Sequence, residues 1–342
     1  MPKKIVKVGI NGYGVIGKRV ADAIKLQDDM ELVGVADIAY DYRVKVAALK
    51  GYNIYASIPE KRREMEAAGL DVKGTLEDLM KEVDIIVDCT PKGVGAKNRL
   101  IYERHGKKAI FQGGEKHEVA GVSFVAQCNY NQAIGKQFVR VVSCNTTGLC
   151  RTLNAIKNEF GIKRARAVLV RRGCDPWESS RQGPLNTVVP EVKIPSHQGP
   201  DAQTVIPDLN IVTMACNVPV TLSHMHFVMV EPKEVPSRDE VIKVFRKTPR
   251  VKLFRASDGF DGLQAIIEYH RDILRPRADV WEVPIWEESI TVSDGEIFWI
   301  MQVHNEAIVI PENIDAIRAM MEIELDGLKS IEKTDRSLGL IG

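Results

Sequence analysis

Cys144 stands where a cysteine could act as a nucleophile. In the segment VRVVSCNTTGLC, an apolar run predicts a strand before Cys144, and the pattern after it predicts a helix. A thiol at a helix N-terminus ionises more readily, because free backbone N–H groups and the helix dipole stabilise the thiolate. Ser143, Asn145 and Thr146 make the neighbourhood polar, unlike that of a buried structural cysteine. The sequence therefore predicts a reactive thiol with a lowered pKa.

The other five cysteines show no comparable context. They are Cys89, Cys128, Cys150, Cys174 and Cys216, and no two of the six form a C-x-x-C pair. The N-terminal apolar run is only about six residues long, which is too short for a signal peptide. The apolar runs also fall short of the roughly 18 residues of a membrane span. We therefore expect a cytoplasmic protein whose thiols are reduced.

A glycine-rich turn near the N-terminus has the spacing of a dinucleotide-binding motif. Gly12, Gly14 and Gly17 form G-x-G-x-x-G between a predicted strand and a predicted helix, which is the context that the motif requires. The first glycine permits a tight turn, the second lets the backbone approach a pyrophosphate, and the third allows close helix–strand packing. A glycine turn without a ligand is the alternative. The predicted site comprises Gly12, Tyr13, Gly14, Val15, Ile16 and Gly17.

Asp37 ends the second predicted strand, twenty residues after Gly17. An acidic residue at this place binds the ribose hydroxyls of NAD and disfavours the additional phosphate of NADP. Arg43 and Lys45 follow closely and provide positive charge that would favour NADP. An aspartate that merely ends a strand in a turn is a further alternative. Asp37 therefore predicts NAD or NADP as the cofactor, with NAD favoured.

His224 and His226 alternate along a predicted strand, so both side chains point to the same face of the sheet. Two such histidines could bind zinc, but no third ligand lies at a suitable spacing, and no metal site is predicted.

The remaining histidines that lie outside any motif are expected on the surface or in structural roles. These are His105, His117, His270 and His304.

The pattern of apolar segments predicts an α/β protein. In residues 1–143, short apolar runs alternate with helical patterns, which is typical of βαβ units and a Rossmann-type, doubly wound parallel sheet. In residues 144–307, longer alternating runs predict an α+β domain with a mostly antiparallel sheet. In residues 308–342, apolar residues spaced by three and four from Ile314 to Leu328 predict one helix that begins at Pro311.

The apolar runs predict five strands in each of the first two domains. In the first domain they are 5–10, 31–37, 84–90, 108–112 and 139–143, and in the second 166–171, 218–230, 281–287, 289–293 and 296–304.

Composition excludes several classes of protein. The chain has 342 residues, with 47 basic and 46 acidic side chains and a formal net charge of +1. This balance gives no general attraction to nucleic acid or to an anionic membrane. A hydrophobic share of 44% is too high for a disordered chain. The length suits about two domains with full hydrophobic cores.

Several segments together resemble the archaeal-type (type II) phosphorylating glyceraldehyde-3-phosphate dehydrogenases. The resemblance covers essentially the whole chain, and its most specific motif is SCNTTGL, which begins at Ser143. The other matching segments are GINGYG, FQGGEK, RTLNAIK, IPSHQGPDAQTVIP, HMHFVMVE, WEESI and VIPENIDAIRAM.

The resemblance implies roles for individual residues. Cys144 matches the nucleophile and His224 the catalytic base. The resemblance implies substrate or phosphate contacts for Ser143, Asn145, Thr146, Arg172, His197 and Gln198. It implies dinucleotide or phosphate contacts for Gly14, Val15, Gly113, Gly114, Arg171 and Asn305. It also implies a homotetramer whose C-terminal helix packs back on the Rossmann domain.

Arg171 and Arg172 end a predicted strand of the second domain. A guanidinium group matches phosphate oxygens with two parallel hydrogen bonds. A solvated arginine pair is the alternative, but the implied reaction involves a phosphorylated substrate and inorganic phosphate. We predict phosphate binding by the pair, without deciding which arginine binds which anion.

The chain departs from the usual pattern of the resembling family at three places. Gln198 replaces a histidine, Asn305 replaces a glutamine, and Asp37-Ile38-Ala39 replaces a Lys-Thr-Lys-like segment that suits NADP. These departures concern cofactor preference and substrate contacts. They leave the nucleophile unaffected.

The predicted function is NAD(P)-dependent, phosphorylating oxidation of glyceraldehyde 3-phosphate to 1,3-bisphosphoglycerate through a thioester on Cys144. A semialdehyde or acyl-phosphate reductase is an alternative, because such enzymes also combine a Rossmann domain with a thioester-forming cysteine. A non-catalytic dinucleotide-sensing protein is another, although such a sensor needs no nucleophile. Nucleic-acid binding has no support in a chain without a basic tract.

Overall fold

The computed structural model describes residues 5–178 and 183–340. Its strands are β1 Val6–Asn11, β2 Met30–Asp37, β3 Ile54–Ala56, β4 Val72–Thr75, β5 Ile85–Asp88, β6 Lys108–Phe111, β7 Ser123–Phe124, β8 Phe138–Val141, β9 Ile162–Arg172, β10 Val189–Glu191, β11 Ile211–Val218, β12 Ser223–Pro232, β13 Val251–Phe254, β14 Val283–Trp286, β15 Thr291–Ser293 and β16 Glu296–His304. Its helices are α1 Val15–Lys25, α2 Tyr42–Leu49, α3 Arg62–Ala67, α4 Leu76–Glu82, α5 Val94–Arg104, α6 Ala126–Asn129, α7 Cys144–Phe160, α8 Gln198–Gln203, α9 Arg238–Lys247, α10 Leu263–Asp272, α11 Ile310–Met320 and α12 Gly327–Leu338.

The chain forms two compact units. The first runs to Ser143 and resumes at Ile310, whereas the second spans Cys144–Val309. Each unit contains its own eight-stranded sheet within the described residues. The expectation of an α/β fold with a Rossmann-type sheet is confirmed.

The sheet of the first unit is parallel, with the strand order β4-β3-β2-β1-β5-β6-β8-β7. Its central strands are apolar on both faces because helices cover both faces of such a sheet. Val8, Ile10 and Val87 are fully buried. Strands β3 and β4 were not predicted, since segments of three and four residues are too short for an alternating pattern to emerge.

The C-terminal segment is two helices, so the prediction of one continuous helix from Pro311 is wrong. Helix α11 is buried along its whole length and ends at Met320. Asp326 then caps α12 by accepting from the backbone N–H groups of Leu328 and Lys329. Leu325 and Leu328, which continue the apolar spacing in the sequence, are 58% and 69% exposed. Spacing alone did not reveal the intervening break.

Within the first unit, a buried ion pair ties α11 to the residues before β2. The Arg318 guanidinium, which is fully buried, donates from Nε to Asp29 at 2.9 Å. It also donates to Gln27 at 2.6 Å. Lys333 of α12 contacts the same Asp29 carboxylate. The two C-terminal helices are therefore part of the first unit's core.

The sheet of the second unit is mixed, with the order β10-β11-β9-β12-β16-β14-β13, and β15 pairs with β16. Most of its pairs are antiparallel, but β9 runs parallel to β11 and β13 parallel to β14. The predicted strand 296–304 is confirmed as β16. The predicted strand 218–230 is wrong at its start, because β11 ends at Val218 and β12 begins at Ser223. These two strands flank β9, so the residues between them cross its end.

Candidate active site

Helix α7 carries Cys144 at its first position. The helix lies close to β16, since a Cβ at Gly148 would fall 2.5 Å from the side chain of Val303. The buried Arg151 anchors the helix by donating to the carbonyl oxygens of Trp281 and Ile308 at 2.7 and 3.0 Å. These contacts fix the thiol relative to the strands of the second unit.

The structure brings Cys144, His224 and Asn305 together. His224 lies on β12, opposite Val303 of β16, and Asn305 directly follows β16. The distance from Sγ of Cys144 to Nε2 of His224 is 3.5 Å. Oδ1 of Asn305 lies 3.3 Å from Sγ and 3.2 Å from Nε2. A nucleophile, an imidazole and an amide thus share one hydrogen-bonding network.

The backbone determines which nitrogen of His224 bears the proton. The N–H of Arg172 donates to Nδ1 of His224 at 2.9 Å. A backbone amide can only donate, so Nδ1 must accept and the proton of the neutral ring lies on Nε2. Nε2–H therefore points toward the thiol and Asn305.

Burial keeps the thiol and the imidazole neutral. It raises the pKa of Cys144 to about 11, although Arg172, the backbone N–H of Asn145 and Arg171 act in the opposite direction. Burial, followed by His226 and the two arginines, holds the pKa of His224 well below its usual value. The predicted lowering of the thiol pKa is therefore wrong for this structure, because desolvation of the thiolate outweighs the helix N-terminus.

His226 has a different partner from His224, although both lie on the same face of β12. Its Nε2 lies 2.8 Å from Oδ1 of Asn145, and the ring is fully buried. Burial lowers the pKa of His226 to about 3, so this ring is neutral. His226 thus fixes the amide next to the nucleophile, a role that the sequence did not predict.

The arginines at the end of β9 each pair with a carboxylate. Arg171 contacts Glu191 at 3.2 Å, and Arg172 contacts Asp175 at 2.9 Å. The Nε atoms of both arginines are buried and have no hydrogen-bond partner among the described residues. Glu191 also accepts from the ring of His197 at 3.2 Å. Unsatisfied guanidinium donors beside Cys144 favour an anion as ligand.

Other expected substrate residues lie outside this contact network. Thr146 is fully buried and donates to Asp201 at 2.6 Å, which links α7 to α8. Gln198 is also fully buried, and neither atom of its amide has a partner in the described part of the chain. Ser143 is half-buried. Thr146 therefore makes a structural contact, whereas the buried Gln198 amide has hydrogen-bonding groups that these residues do not satisfy.

The glycine turn of the first unit has the geometry that a dinucleotide requires. Gly12 adopts a φ of 94°, and a Cβ there would fall 2.8 Å from the Cys89 carbonyl group. A Cβ at Gly17 would fall 1.9 Å from the carbonyl oxygen of Gly12. At Gly14 a Cβ would meet no atom within 4 Å, so the backbone is open on that side. Helix α1 begins at Val15, directly behind the turn.

Asp37 is held by the backbone of the same turn. Its carboxylate accepts from the N–H groups of Tyr13, Ile38 and Ala39 at 2.6, 2.7 and 2.8 Å. Three such bonds leave about one of the four lone-pair positions of a carboxylate for a ligand. Arg43 is bound through two nitrogens to Asp41. Of the two cations expected to favour NADP, Arg43 is therefore already paired.

Gly113 and Gly114 follow β6 in the first unit. A Cβ at Gly113 would fall 2.2 Å from the backbone nitrogen of Ser143, so only glycine fits there. At Gly114 the nearest contact would be an ordinary 3.5 Å to Lys92. Gly113 is thus required by close backbone packing, and Gly114 lies in a more open place.

Within the described residues the structure contains neither a metal-binding cluster nor a membrane-spanning helix. No group of three or more His, Cys, Asp or Glu side chains is arranged to hold a metal ion. No helix there combines the length and the apolarity needed to cross a membrane. All six cysteines lie in the described part, and each is free.

Asp175 is a site residue that the sequence did not predict. It accepts from Nδ2 of Asn305 at 2.9 Å and is also the partner of Arg172. It lies only three residues after Arg172, but no motif marks it. Its position close after the predicted anion-binding arginines is the one sequence signal that points to it.

Two family models match segments of the chain. Residues 143–283 match the family model for the C-terminal domain of glyceraldehyde 3-phosphate dehydrogenase. Residues 6–127 match the model for the N-terminus of dihydrodipicolinate reductase. The chain is 52% identical to the glyceraldehyde-3-phosphate dehydrogenase of Methanothermus fervidus over 335 residues, which cover 98% of this chain and 99% of that protein. It is 53% identical to the enzyme of the same name from Thermococcus kodakarensis over 336 residues, with the same coverage.

These relatives are similar along nearly the full length of both chains. The matched C-terminal domain includes Cys144 and His224. The dinucleotide-binding unit and the oxidoreductase class expected from the sequence are confirmed, and the resemblance to this family holds. The chain belongs to the glyceraldehyde-3-phosphate dehydrogenase family.

Proposed function

We propose that the protein catalyses the NAD(P)-dependent, phosphorylating oxidation of glyceraldehyde 3-phosphate to 1,3-bisphosphoglycerate. The observation that carries the proposal is the contact of Cys144 with His224 and Asn305 at the N-terminus of α7. A thiol in such a network is suited to form a thioester with an aldehyde-derived acyl group.

In the first step the Cys144 thiol releases its proton to solvent, and the sulfur attacks the aldehyde carbon. The new C–S bond moves the carbonyl electron pair to oxygen and gives a hemithioacetal anion. Arg172 and Arg171 favour the thiolate, because both lower the pKa of Cys144. The oxygen then carries the negative charge that the surrounding donors must stabilise.

The oxidation step leaves an acyl group on sulfur. When bound, an oxidised nicotinamide dinucleotide supplies the acceptor for the hydride that leaves the carbon. The C–O electron pair re-forms the carbonyl group, and a thioester results. Inorganic phosphate then attacks the thioester carbon, the C–S bond breaks, and Cys144 is released as thiolate.

His224 serves in this proposal as a hydrogen-bond donor to the hemithioacetal oxygen. Its neutral ring carries the proton on Nε2, because the Arg172 N–H occupies Nδ1. The base role implied by the resemblance would require an unprotonated Nε2 and would set an Nδ1–H against the Arg172 amide. The observed hydrogen bonds therefore favour donation to the oxyanion.

Arg171 and Arg172 are proposed to bind the phosphate groups of substrate and inorganic phosphate. Their buried Nε atoms lack partners among the described residues, and their side chains are 27% and 22% exposed. His197 is linked to Arg171 through Glu191 and joins this anion site. Ser143 and the Gln198 amide are proposed as further contacts to the substrate.

The first unit is proposed to bind the dinucleotide. The open backbone at Gly14 and the N-terminus of α1 suit a pyrophosphate, and Asp37 suits a ribose hydroxyl. The proposed contacts are Gly12, Tyr13, Gly14, Val15, Ile16, Gly17, Asp37, Gly113 and Gly114. We propose a preference for NAD. The Asp37 carboxylate lies at the glycine turn, where it would face the ribose, and Arg43 is paired with Asp41.

A homotetramer in the cytoplasm is also proposed. A row of apolar side chains crosses the sheet of the second unit, where Val168 pairs with both Met214 and Phe227. These residues are 37%, 49% and 37% exposed. An apolar row of this kind on a sheet favours coverage by another copy. Light scattering coupled to size exclusion would give the mass of the assembly.

Steady-state assays with different aldehydes test the proposed reaction. Glyceraldehyde 3-phosphate with NAD and phosphate should give the highest kcat/KM. A higher kcat/KM with aspartate semialdehyde would favour the reductase alternative. Dinucleotide binding without turnover of any aldehyde would favour the sensor.

A further inference from the structure

Asn305 contacts both reacting groups of the second unit through one atom. Its Oδ1 lies 3.3 Å from Sγ of Cys144 and 3.2 Å from Nε2 of His224. At the other end of the same amide, Nδ2 donates to Oδ1 of Asp175 at 2.9 Å. The amide thus links a carboxylate to the thiol and the imidazole.

The two ends of an amide are not equivalent, so its orientation matters. The groups that face Oδ1 of Asn305 are both donors, namely the Cys144 S–H and the His224 Nε2–H. A flipped amide would set its own N–H groups against these donors. Such a mismatch would turn the imidazole away or break its bond to the Arg172 N–H.

Asp175 selects the observed orientation. An ionised carboxylate only accepts hydrogen bonds, so it binds the nitrogen end of the Asn305 amide and excludes the oxygen end. Arg172 holds the carboxylate in place at 2.9 Å. The backbone N–H of Asn305 donates to the Leu222 carbonyl oxygen at 2.7 Å, which fixes the main chain below the amide.

We propose that Asp175 is a positioning residue that acts through Asn305, keeping the amide oxygen on Cys144 and His224. The inference rests on the proposed nucleophilic role of Cys144. It assigns a task to a carboxylate that touches neither sulfur nor imidazole in the network described above. With the amide so oriented, Nε2–H is held at the place where the substrate oxygen develops charge.

A double-mutant cycle separates action through Asn305 from any independent effect of Asp175. The variants are Asp175→Ala, Asn305→Ala and the combination of both. We expect Asp175→Ala to lower kcat/KM by about tenfold or more in the wild-type background. In the Asn305→Ala background, the same substitution should lower kcat/KM by at most about threefold, because only the contact of Asp175 with Arg172 is then lost. An undiminished effect of Asp175→Ala in that background would overturn the proposal.

Asp175→Asn distinguishes positioning from charge. The variant loses the negative charge but keeps an oxygen that can accept from Asn305. Arg172 contacts the same Oδ1 atom as Asn305 does, so it would hold the new amide with its oxygen toward Asn305. We expect it to retain kcat/KM within about threefold of the wild type. An activity as low as that of Asp175→Ala would contradict the positioning role.

Glu191→Ala is the matched control, because Glu191 pairs with the neighbouring Arg171 but makes no bond to Asn305. Its effect on kcat/KM should be independent of Asn305. The melting temperature of each variant would identify any loss of folding.

The cycle can also be measured without the dehydrogenase reaction. The rate at which iodoacetamide alkylates Cys144 measures the reactivity of the thiol directly. The charge of Asp175 raises the pKa of this thiol. We expect Asp175→Ala to raise the rate of alkylation at neutral pH and to lower the rate of turnover. A general loss of site structure would not change these two rates in opposite directions. Equal slowing of both rates would overturn the inference. An inactive wild type would instead overturn the proposed function. Alkylation rates of the wild type, the two single variants and the double variant would still measure the coupling of Asp175 to Asn305, because the direct effect of the Asp175 charge is common to both backgrounds and cancels in the cycle.

Discussion

The backbone N–H of Arg172 lies 2.9 Å from Nδ1 of His224 and thereby determines which nitrogen faces Cys144. Because the ring must accept at Nδ1, the neutral imidazole presents Nε2–H to the thiol and to the oxygen of a bound aldehyde. The burial that keeps His224 neutral also keeps Cys144 protonated. Reactivity at this site therefore depends on the balance between desolvation and the two neighbouring arginines.

Alkylation of Cys144 in the protein without added cofactor should depend steeply on pH. The pKa of the thiol is raised to about 11, so below that pH the neutral form dominates and the thiolate fraction rises about tenfold per pH unit. The rate of iodoacetamide labelling, followed by mass spectrometry of the Cys144 peptide, should increase from pH 7 to pH 10 without levelling. A plateau below pH 9, as for an ordinary exposed cysteine, would contradict this expectation.

Replacement of His224 should show whether this residue acts as a hydrogen-bond donor to the oxyanion or as a general base. His224→Asn keeps an N–H donor and removes the base, whereas His224→Ala removes both. If donation to the oxyanion is the main contribution, kcat of the asparagine variant should exceed that of the alanine variant by about tenfold or more. Equal kcat values for the two variants, both folded by circular dichroism, would favour the base role.

Asp37 should control the choice of dinucleotide. The wild-type protein should show a higher kcat/KM with NAD than with NADP, because a carboxylate at the ribose disfavours the additional phosphate. Asp37→Ala should shift the ratio of the two kcat/KM values toward NADP by about tenfold. Asp71→Ala is a suitable control, since its carboxylate lies in the same unit and is 82% exposed. A tenfold preference of the wild type for NADP would refute the assignment.

Loss of the buried ion pair in the first unit should destabilise the protein. Arg318→Met removes a fully buried guanidinium from Asp29, whose side chain is only 3% exposed. Breaking such a pair leaves a poorly compensated buried charge and should lower the free energy of unfolding by about 3 kcal/mol. The matched variant Arg336→Met breaks an exposed pair with Glu332 and should lower it by less than about 1 kcal/mol. Denaturant unfolding of both variants measures the difference, and similar values for the two would contradict the account.

The sequence predicted those parts of the fold that produce long or regular patterns. Strand β16 has nine residues with a clear alternation, and its bounds were predicted as observed. Strands β3 and β4 are too short for such a pattern. The break between α11 and α12 was missed because the apolar spacing continued through it, although Leu325 and Leu328 are exposed. Regular spacing predicts a helical face but not whether another element covers it.

At the site, too, the sequence predicted the features that adjacent residues determine and missed those that depend on residues distant along the chain. The motif around Cys144 predicted a thiol at a helix N-terminus, and the structure has it there. The pKa of that thiol depends on how deeply the fold buries it, which the adjacent residues do not determine. Asn305 was expected to contact a ligand, but its partners Cys144 and Asp175 are distant in sequence and meet it only through the fold.

The central claim, that Cys144 forms the acyl intermediate, is tested most directly by stopping the reaction before phosphorolysis. The protein is mixed with glyceraldehyde 3-phosphate and NAD in phosphate-free buffer, and the trapped protein is analysed by mass spectrometry. We expect one acyl group per chain, located on Cys144, together with a burst of one NADH per chain and release of the acyl group on addition of phosphate. A full NADH burst in Cys144→Ser, or an acyl group on another residue, would contradict the account.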